Sequence, residues 1–388
     1  MVKLFLKKNE HKKVLNGFPW IYANEVQKID GKGQNGEIAQ VFDFDGNFVC
    51  LGFLNHLSKI IVRVLTLSNE TINKQFFLER IRQSVQRRWD LGYENCFRAV
   101  FAESDLLPGL IVDKYSDVLS VQFLCLGMDK IKELIVECLV EIFNPKGIFE
   151  RSDVPTRIKE GLTLKKGELF GEVPNEVWIK ENGLNLCVDV KNGQKTGYFL
   201  DQKENRASLQ KFVKNKSVLD CFCNVGGFSL CAKHYGAKKV TAVDVSPLAI
   251  ETVQKNALKN NLQIETICAD AFEQLRLFKK QGESFDVVIL DPPAFTKTAD
   301  KVQQALKGYK DINVQGLKLV KNDGYLITCS CSQHVSVDLF MRTIRQAVFE
   351  SGKKAQMVEL RTQACDHSSL LNTDESLYLK FAVLRILD

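Results

Sequence analysis

Hydrophobic and polar positions follow three different rhythms along the chain. Up to about residue 68 the apolar residues come in short runs broken by turns, VKLFLK, EIAQVFDFDGNFVCLGFL and SKIIVRVLT. This pattern predicts a small β-barrel, with Asp45-Gly46 turning a hairpin. From 71 to 92 the period lengthens: Ile72, Phe76, Phe77, Ile81 and Val85 recur at helical spacings. The stretch from 93 to 175 mixes both rhythms. Leu107-Pro108-Gly109 and Tyr115-Ser116-Asp117 are predicted to punctuate a strand–turn–strand unit, and Asp129 to Phe143 reads as a helix. The piece GLTLKKGELFGEVPNE is polar and turn-rich, which puts a domain boundary near 176.

Beyond 176 the alternation is regular. A hairpin is expected over LNLCVDVKNGQKTGYF, turning at Asn192-Gly193. Strand SVLDCF, helix GGFSLCAKHYG, strand VTAVD, helix SPLAIETVQKNALKNN, strand IETICAD and helix AFEQLRLFKKQ follow. Then come strand FDVVILD, a helix through Gln304–Val320, strand GYLITCS and helix VSVDLFMRTIRQAVFES. Strands alternating with helices of this length predict a doubly wound parallel sheet, an α/β Rossmann-like fold. The last apolar segments, MVELR and LYLKFAVLRI, lack a helix between them and are expected to form an antiparallel edge pair. The reading gives three domains: 1–70, 71–175 and 176–388.

Composition narrows the class. At 388 residues, with 45% hydrophobic and 26% charged residues, the chain suits an ordinary soluble protein of several domains. Lysines interrupt the N-terminal MVKLFLKKNEHKK where a signal peptide needs an apolar core, and no apolar run is long enough for a membrane span, so a cytoplasmic protein without a membrane partner is expected. Twelve cysteines without a CxxC pair argue against a disulfide scaffold. The C-x-C pairs Cys221/Cys223 and Cys329/Cys331 have no accompanying histidine pair and do not read as a zinc site; no metal is expected. The net charge of +6 permits an anionic partner without requiring one. Lys3, Lys7, Lys8, Lys12 and Lys13, and Arg80, Arg82, Arg87, Arg88 and Trp89, form two local basic groups that solvated faces would also explain.

The chemistry sits at strand ends. In an open parallel sheet these face one crevice. The loop Asp220-Cys221-Phe222-Cys223-Asn224-Val225-Gly226-Gly227 carries Phe222 where a dinucleotide site would have its first glycine, yet Gly226 and Gly227 permit close backbone approach to a ligand. Asp244 and Asp270, ending the next two strands, are placed to accept from ribose hydroxyls and from an adenine amine, with Phe272 beside Asp270. Each acid alone could be a helix cap; Asp220, Asp244 and Asp270 together point to an adenosyl cofactor, S-adenosyl-L-methionine. Asp291-Pro292-Pro293-Ala294-Phe295 and Thr328-Cys329-Ser330-Cys331-Ser332 end two further strands. Asp291 is a candidate for both cofactor contact and catalysis, and Pro292 and Phe295 for holding a flipped base. A thiol aimed into this pocket suits methylation of carbon 5 of a pyrimidine: Cys331 is the candidate nucleophile, Cys329 the alternative. A D-P-P-aromatic turn equally serves enzymes that methylate exocyclic amines, where no cysteine is needed.

With these strings in view, the chain resembles the bacterial 5-methylcytosine methyltransferases of large-subunit ribosomal RNA, nearly end to end. GFPWIYANEV matches their N-terminal PUA barrel and ESDLLPGLIVDKY their central α/β domain. TGYFLDQKENR, LDCFCNVGGFSL, DPPAF, TCSCSQHVS and QACDHSSLLNTDESLYLK match the catalytic domain. The resemblance implies RNA contact by the PUA domain, Cys331 as nucleophile, a cofactor-flanking segment containing Phe199, Gln202 and Arg206, large-subunit rRNA as partner, and a homodimer as one possible state. Asn224-Val225 departs from a frequent Tyr-Thr, altering loop packing without removing the backbone cradle. Ser368 stands where a proline often follows Asp-His. Two further readings stay open: an rRNA guanine methyltransferase with Cys331 structural, and a non-catalytic RNA-binding assembly factor.

Overall fold

The short apolar runs at the start of the chain become β1 (Val2–Leu6), β2 (Trp20–Tyr22), β3 (Val26–Asp30), β4 (Ile38–Phe42), β5 (Phe48–Leu54) and β6 (Ile60–Thr66), with the short helix α1 (His11–Leu15) between β1 and β2. These form a sheet in the order β2-β6-β5-β4-β1-β3 in the computed structural model, which describes residues 1–296, 298–373 and 376–387. Asp45-Gly46 does turn the antiparallel β4–β5 pair, Gly46 at φ 89°. Helix α2 (Lys74–Asp90) starts at Asn73, whose side chain accepts from Phe76 N at 3.1 Å.

A second sheet, β11-β10-β9-β8-β7, comprises β7 (Cys96–Phe101), β8 (Leu110–Tyr115), β9 (Val118–Phe123), β10 (Gly147–Ser152) and β11 (Lys165–Gly171). The helix expected from Asp129 is broken at Ile131 into α3 (Leu126–Lys130) and α4 (Lys132–Phe143). Strand β11 occupies part of the segment read as polar and turn-rich. It is an edge strand with mostly solvent-facing side chains, so its sequence carries no apolar alternation.

The hairpin expected at Asn192-Gly193 is not formed. The strands that pair are β12 (Val177–Glu181) and β13 (Leu184–Val188), turning ten residues earlier at Asn182-Gly183, both at positive φ (50° and 81°), as a two-residue hairpin turn requires. Residues 189–199 instead make local turns in which Asp189 accepts from Asn192 N and Gly193 N, and Tyr115 Oη bonds the Tyr198 backbone.

The remaining elements are α5 (Lys203–Ser208), β14 (Ser217–Cys221), α6 (Gly227–His234), β15 (Lys239–Asp244), α7 (Pro247–Lys259), β16 (Glu265–Cys268), α8 (Ala271–Lys280), β17 (Phe285–Leu290), α9 (Val302–Leu317), β18 (Val320–Ser330), α10 (Val337–Ser351), β19 (Lys354–Arg361) and β20 (Lys380–Leu387). Their sheet runs β16-β15-β14-β17-β18-β20-β19, parallel through β18, with β20 antiparallel to both β18 and β19. The expected edge pair is therefore present, and the order reverses at β14/β17, where such sheets bind ligands. The helix expected to reach Val320 stops at Leu317 because Val320 already opens β18. Leu219, Val288, Leu290 and Leu326 are fully buried here, each contributing on the order of 1.5–3 kcal/mol.

These elements fall into two compact units: Met1–Val177, Val188–Leu200 and Cys365–Ser376 in one, Trp178–Cys187, Asp201–Ala364 and Leu377–Asp388 in the other. In the first unit the buried Arg88 grips Asp105 through two bonds of 2.7 Å and the Asp366 carbonyl through one of 2.8 Å. Burial alone would raise the Asp105 pKa; the Arg88 charge overrides it and holds the carboxyl below its usual value. Asp366 in turn accepts from Arg98 N at 2.9 Å, which ties the late segment 365–376 to β7. Arg88→Met should leave the buried Asp105 with only the half-exposed Arg87 and the Phe101 amide as partners and lower the unfolding free energy by about 3 kcal/mol. Urea unfolding checks this; a loss below about 1 kcal/mol would refute it.

Candidate active site

The parallel register of the second unit aligns the predicted site residues. Cys221 stands opposite Val243 on one side and Leu290 on the other, and Leu290 opposite Thr328. One residue further, Asp244, Phe222, Asp291 and Cys329 share the carboxyl edge of four neighbouring strands.

The loop after β14 is held in an uncommon backbone state. Phe222, Asn224 and Gly226 all have positive φ (64°, 49° and 86°). For the two non-glycines this costs on the order of 1–3 kcal/mol each and persists only where surroundings enforce it. At Gly226 a side chain would also press on Val253 at 3.1 Å. The enforcing contacts are Asp244 Oδ2, which accepts from Asn224 N at 2.9 Å, and Val243 O, which accepts from Cys223 N at 3.1 Å. Asp244 Oδ1 takes Ser246 N at 3.0 Å, so each oxygen keeps capacity for a ribose hydroxyl. Gly226 caps α6, and Gly227 is its first residue.

Asp220 is fully buried, with Oδ2 accepting from the Ser229 hydroxyl and Oδ1 lacking any partner among the described residues. Burial pushes its carboxyl up to about 7, the Ser229 bond opposing and the Asp291 charge adding to the rise. An orphaned acceptor beneath a strained loop is a place where a donor from a ligand or an ordered water would fit. Asp270 caps α8, its Oδ1 accepting from Phe272 N (2.9 Å) and Glu273 N (3.1 Å), which leaves Oδ2 available at an exposed site. Both roles foreseen for it, cap and ligand acceptor, are compatible.

An aromatic file continues from the loop. Phe222 and Phe272 have ring centroids 6.3 Å apart, Phe272 and Phe295 6.1 Å, and Phe295 and Tyr309 4.6 Å. Tyr309 Oη meets Ser332 Oγ at 2.9 Å. Pro292 is buried and Pro293 exposed, which stiffens the turn after β17. Cys331 is partly exposed with Sγ 4.0 Å from Pro292 O, whereas Cys329 is sealed in β18. Burial and then the Asp291 charge drive the Cys329 thiol well above its ordinary pKa, making it a poor thiolate former.

The three residues ahead of the sheet separate. Gln202 is buried and donates to Asp291 Oδ1 at 3.1 Å, and its own oxygen accepts from Asn205 at 2.7 Å. Arg206 is buried in a two-bond ion pair with Glu181 (2.6 and 3.0 Å). Phe199 belongs to the first unit, with Lys195 Nζ 4.5 Å from its ring centroid. Tyr309, Gln202 as the partner of Asp291, and the buried Lys380 beside Ser332 were not foreseen in these places; only Tyr309 had a sequence signal, as an aromatic on the helix between the two motif-bearing strands. Among the described residues no group of three metal-ligating side chains occurs, and no helix is long and apolar enough to cross a membrane.

A cradle of backbone amides and carboxylates on this strand order is that of an S-adenosylmethionine-dependent methyltransferase, and the family model of that description matches residues 165–358, while a PUA-like domain model matches 4–67. Residues Asp220, Asn224, Gly226, Gly227, Asp244 and Asp270 fit the cofactor. Similar proteins include ribosomal RNA large subunit methyltransferase I of Aliivibrio fischeri (39% identity), Shewanella amazonensis (40%) and Tolumonas auensis (38%), with 98–99% of each chain covered. The chain belongs to this ribosomal RNA large subunit methyltransferase I family. A solved chain described as a SAM-dependent methyltransferase from Streptococcus mutans shares the fold, with a TM-score of 0.83 at 21% identity over 99% of this chain and 100% of that one. A methyltransferase chain complexed with SAH does so with a TM-score of 0.85, at the same identity and coverage.

The raised Asp220 carboxyl has a measurable consequence. The folded protein binds this proton more tightly than the unfolded chain, so its contribution to stability falls as pH rises from about 4 to about 7 and stays lost above. Asp220→Asn should therefore gain stability relative to the parent at pH 8 but not at pH 5. Urea midpoints at the two values test this; an equal difference at both would contradict it.

Proposed function

We propose that the chain methylates carbon 5 of a cytosine in large-subunit ribosomal RNA, with Cys331 as the nucleophile. The observation that carries this reading is the contrast between the two thiols: Cys331 is reachable just past the carboxyl end of β18, beside the Asp291-Pro292 turn, while Cys329 is closed off. The rRNA substrate is supported by the names of relatives that are 38–40% identical over nearly the whole chain.

S-adenosylmethionine supplies the electrophilic methyl group. Cys331 Sγ adds as the thiolate to carbon 6 of the base, forming a C–S bond and moving electron density to carbon 5, which is otherwise too weak a nucleophile. Asp291, fixed by Gln202, hydrogen-bonds the pyrimidine ring nitrogen or exocyclic amine and stabilises the charge that develops. Once carbon 5 is methylated, a base takes its proton, the electron pair restores the double bond, and the C–S bond breaks with expulsion of the thiolate. Phe295, partly exposed and backed by Tyr309, offers the stacking face for a base taken out of its helix.

Unmodified large-subunit rRNA incubated with methyl-labelled S-adenosylmethionine should yield label in 5-methylcytidine on nucleoside analysis. Label in a methylguanosine would overturn the target base, and no transfer to free RNA or immature particles would overturn the substrate. Cys331→Ala should still bind cofactor by calorimetry while transfer falls by at least about 10³-fold, the order expected when a nucleophile is removed. Cys329→Ala should retain most of it. Unchanged transfer by Cys331→Ala would remove the thiol mechanism.

A further inference from the structure

Lys380 is a charged side chain that the proposed mechanism does not use, yet it is only 1% exposed. It opens β20 and stands opposite Ser330 of β18, the residue before Cys331. Its Nζ donates to the carbonyl of Ser332, the residue after Cys331, and to the carbonyl of Tyr378, both at 2.8 Å. The thiol is thus bracketed on both sides by residues that Lys380 engages. Among the described residues no carboxylate pairs with this ammonium. A buried cation held only by carbonyl dipoles is costly unless an anion meets it at some stage of the working cycle.

We propose that Lys380 is a positioning residue for Cys331: it fixes the turn that carries the thiol and supplies the positive charge against which the thiolate forms. The proposal rests on the nucleophile reading given above. Burial lowers the Lys380 pKa to about 8, and the neighbouring Cys331 works against that fall. The coupling is reciprocal, so the charge that favours the ammonium also favours the thiolate. Below about pH 8 the lysine is mostly charged and the balance is simple: the thiol proton leaves to solvent, and no proton moves onto Lys380. Two other ionisable groups coupled to Cys331 among the described residues, Cys329 and Tyr309, would add negative charge on ionising, whereas Lys380 brings positive charge. Its ammonium also holds the Ser332 carbonyl while Tyr309 holds the Ser332 hydroxyl, so the residue after the thiol is fixed at backbone and side chain.

The test reads the thiol rather than turnover. In the unaltered protein, iodoacetamide alkylation followed peptide by peptide across pH should give Cys331 a lower midpoint than the exposed Cys268. Lys380→Gln keeps donors for both carbonyls and removes the charge; the Cys331 midpoint should rise by about one unit, a tenfold smaller thiolate fraction at neutral pH. Lys380→Arg should largely restore it, and the Cys268 midpoint should stay fixed in both variants. A Cys331 midpoint equal to or above that of Cys268 in the unaltered protein overturns the proposal, even if neither variant folds. So does an unchanged Cys331 midpoint in folded Lys380→Gln. Because alkylation is independent of methyl transfer, an active Cys331→Ala would discard the nucleophile reading and leave the Lys380–Cys331 coupling standing.

Discussion

The register between β14 and its two neighbours is the constraint on which the site depends. Side chains in a strand alternate between faces, so a slip of one residue would move every one of them to the other face. Here β14 is buried along almost its whole length, and its pairing with β15 and β17 is fixed by fully buried residues such as Leu219, Val243 and Val288. That packing carries Asp244, Phe222 and Asp291 to a common edge, and the β17–β18 pairing adds the cysteine motif. The apolar interior therefore sets the catalytic geometry, and the polar residues are passengers on it.

The strain in the loop after β14 follows from the same arrangement. Two non-glycine residues adopt positive φ because Asp244 and Val243, delivered by β15, capture backbone amides on the far side of the turn. The cost is local and the compensation is tertiary. Asp220 extends the logic inward: its carboxyl is buried with one oxygen unpartnered among the described residues, a local cost set against the burial of the surrounding core.

Much of the architecture was legible in the chain. Runs such as FDVVILD and GYLITCS announce buried parallel strands, and the acids that end them mark the crevice. The missing parts share a physical cause. Strand β11 has no apolar alternation because it lies at an edge, and the hairpin was misplaced because Asn-Gly occurs twice within twelve residues; only Asn182-Gly183 has an apolar strand on each side that the sheet can use. The placement of the candidate residues was readable wherever chemistry and strand ends coincide, as at Asp220, Asp244, Asp291 and Cys331. It was not readable where a partner arrives from a distant segment, as Gln202 does to Asp291 across 89 residues and Lys380 to Ser332 across 48. Local pattern does not encode such pairings.

Strand β20 is made after every other strand of its sheet, yet it lies inside it, between β18 and β19. Until it emerges from the ribosome, β18 has no partner on one side and β19 has none of its pairing. Domains tend to fold as their residues appear, but this sheet must wait with an open edge. The strand that closes it also delivers Lys380 to the residue beside Cys331. A nascent chain therefore acquires the completed sheet and the finished surroundings of Cys331 in one late step, so a partly synthesised copy would present the first five strands of this sheet without them.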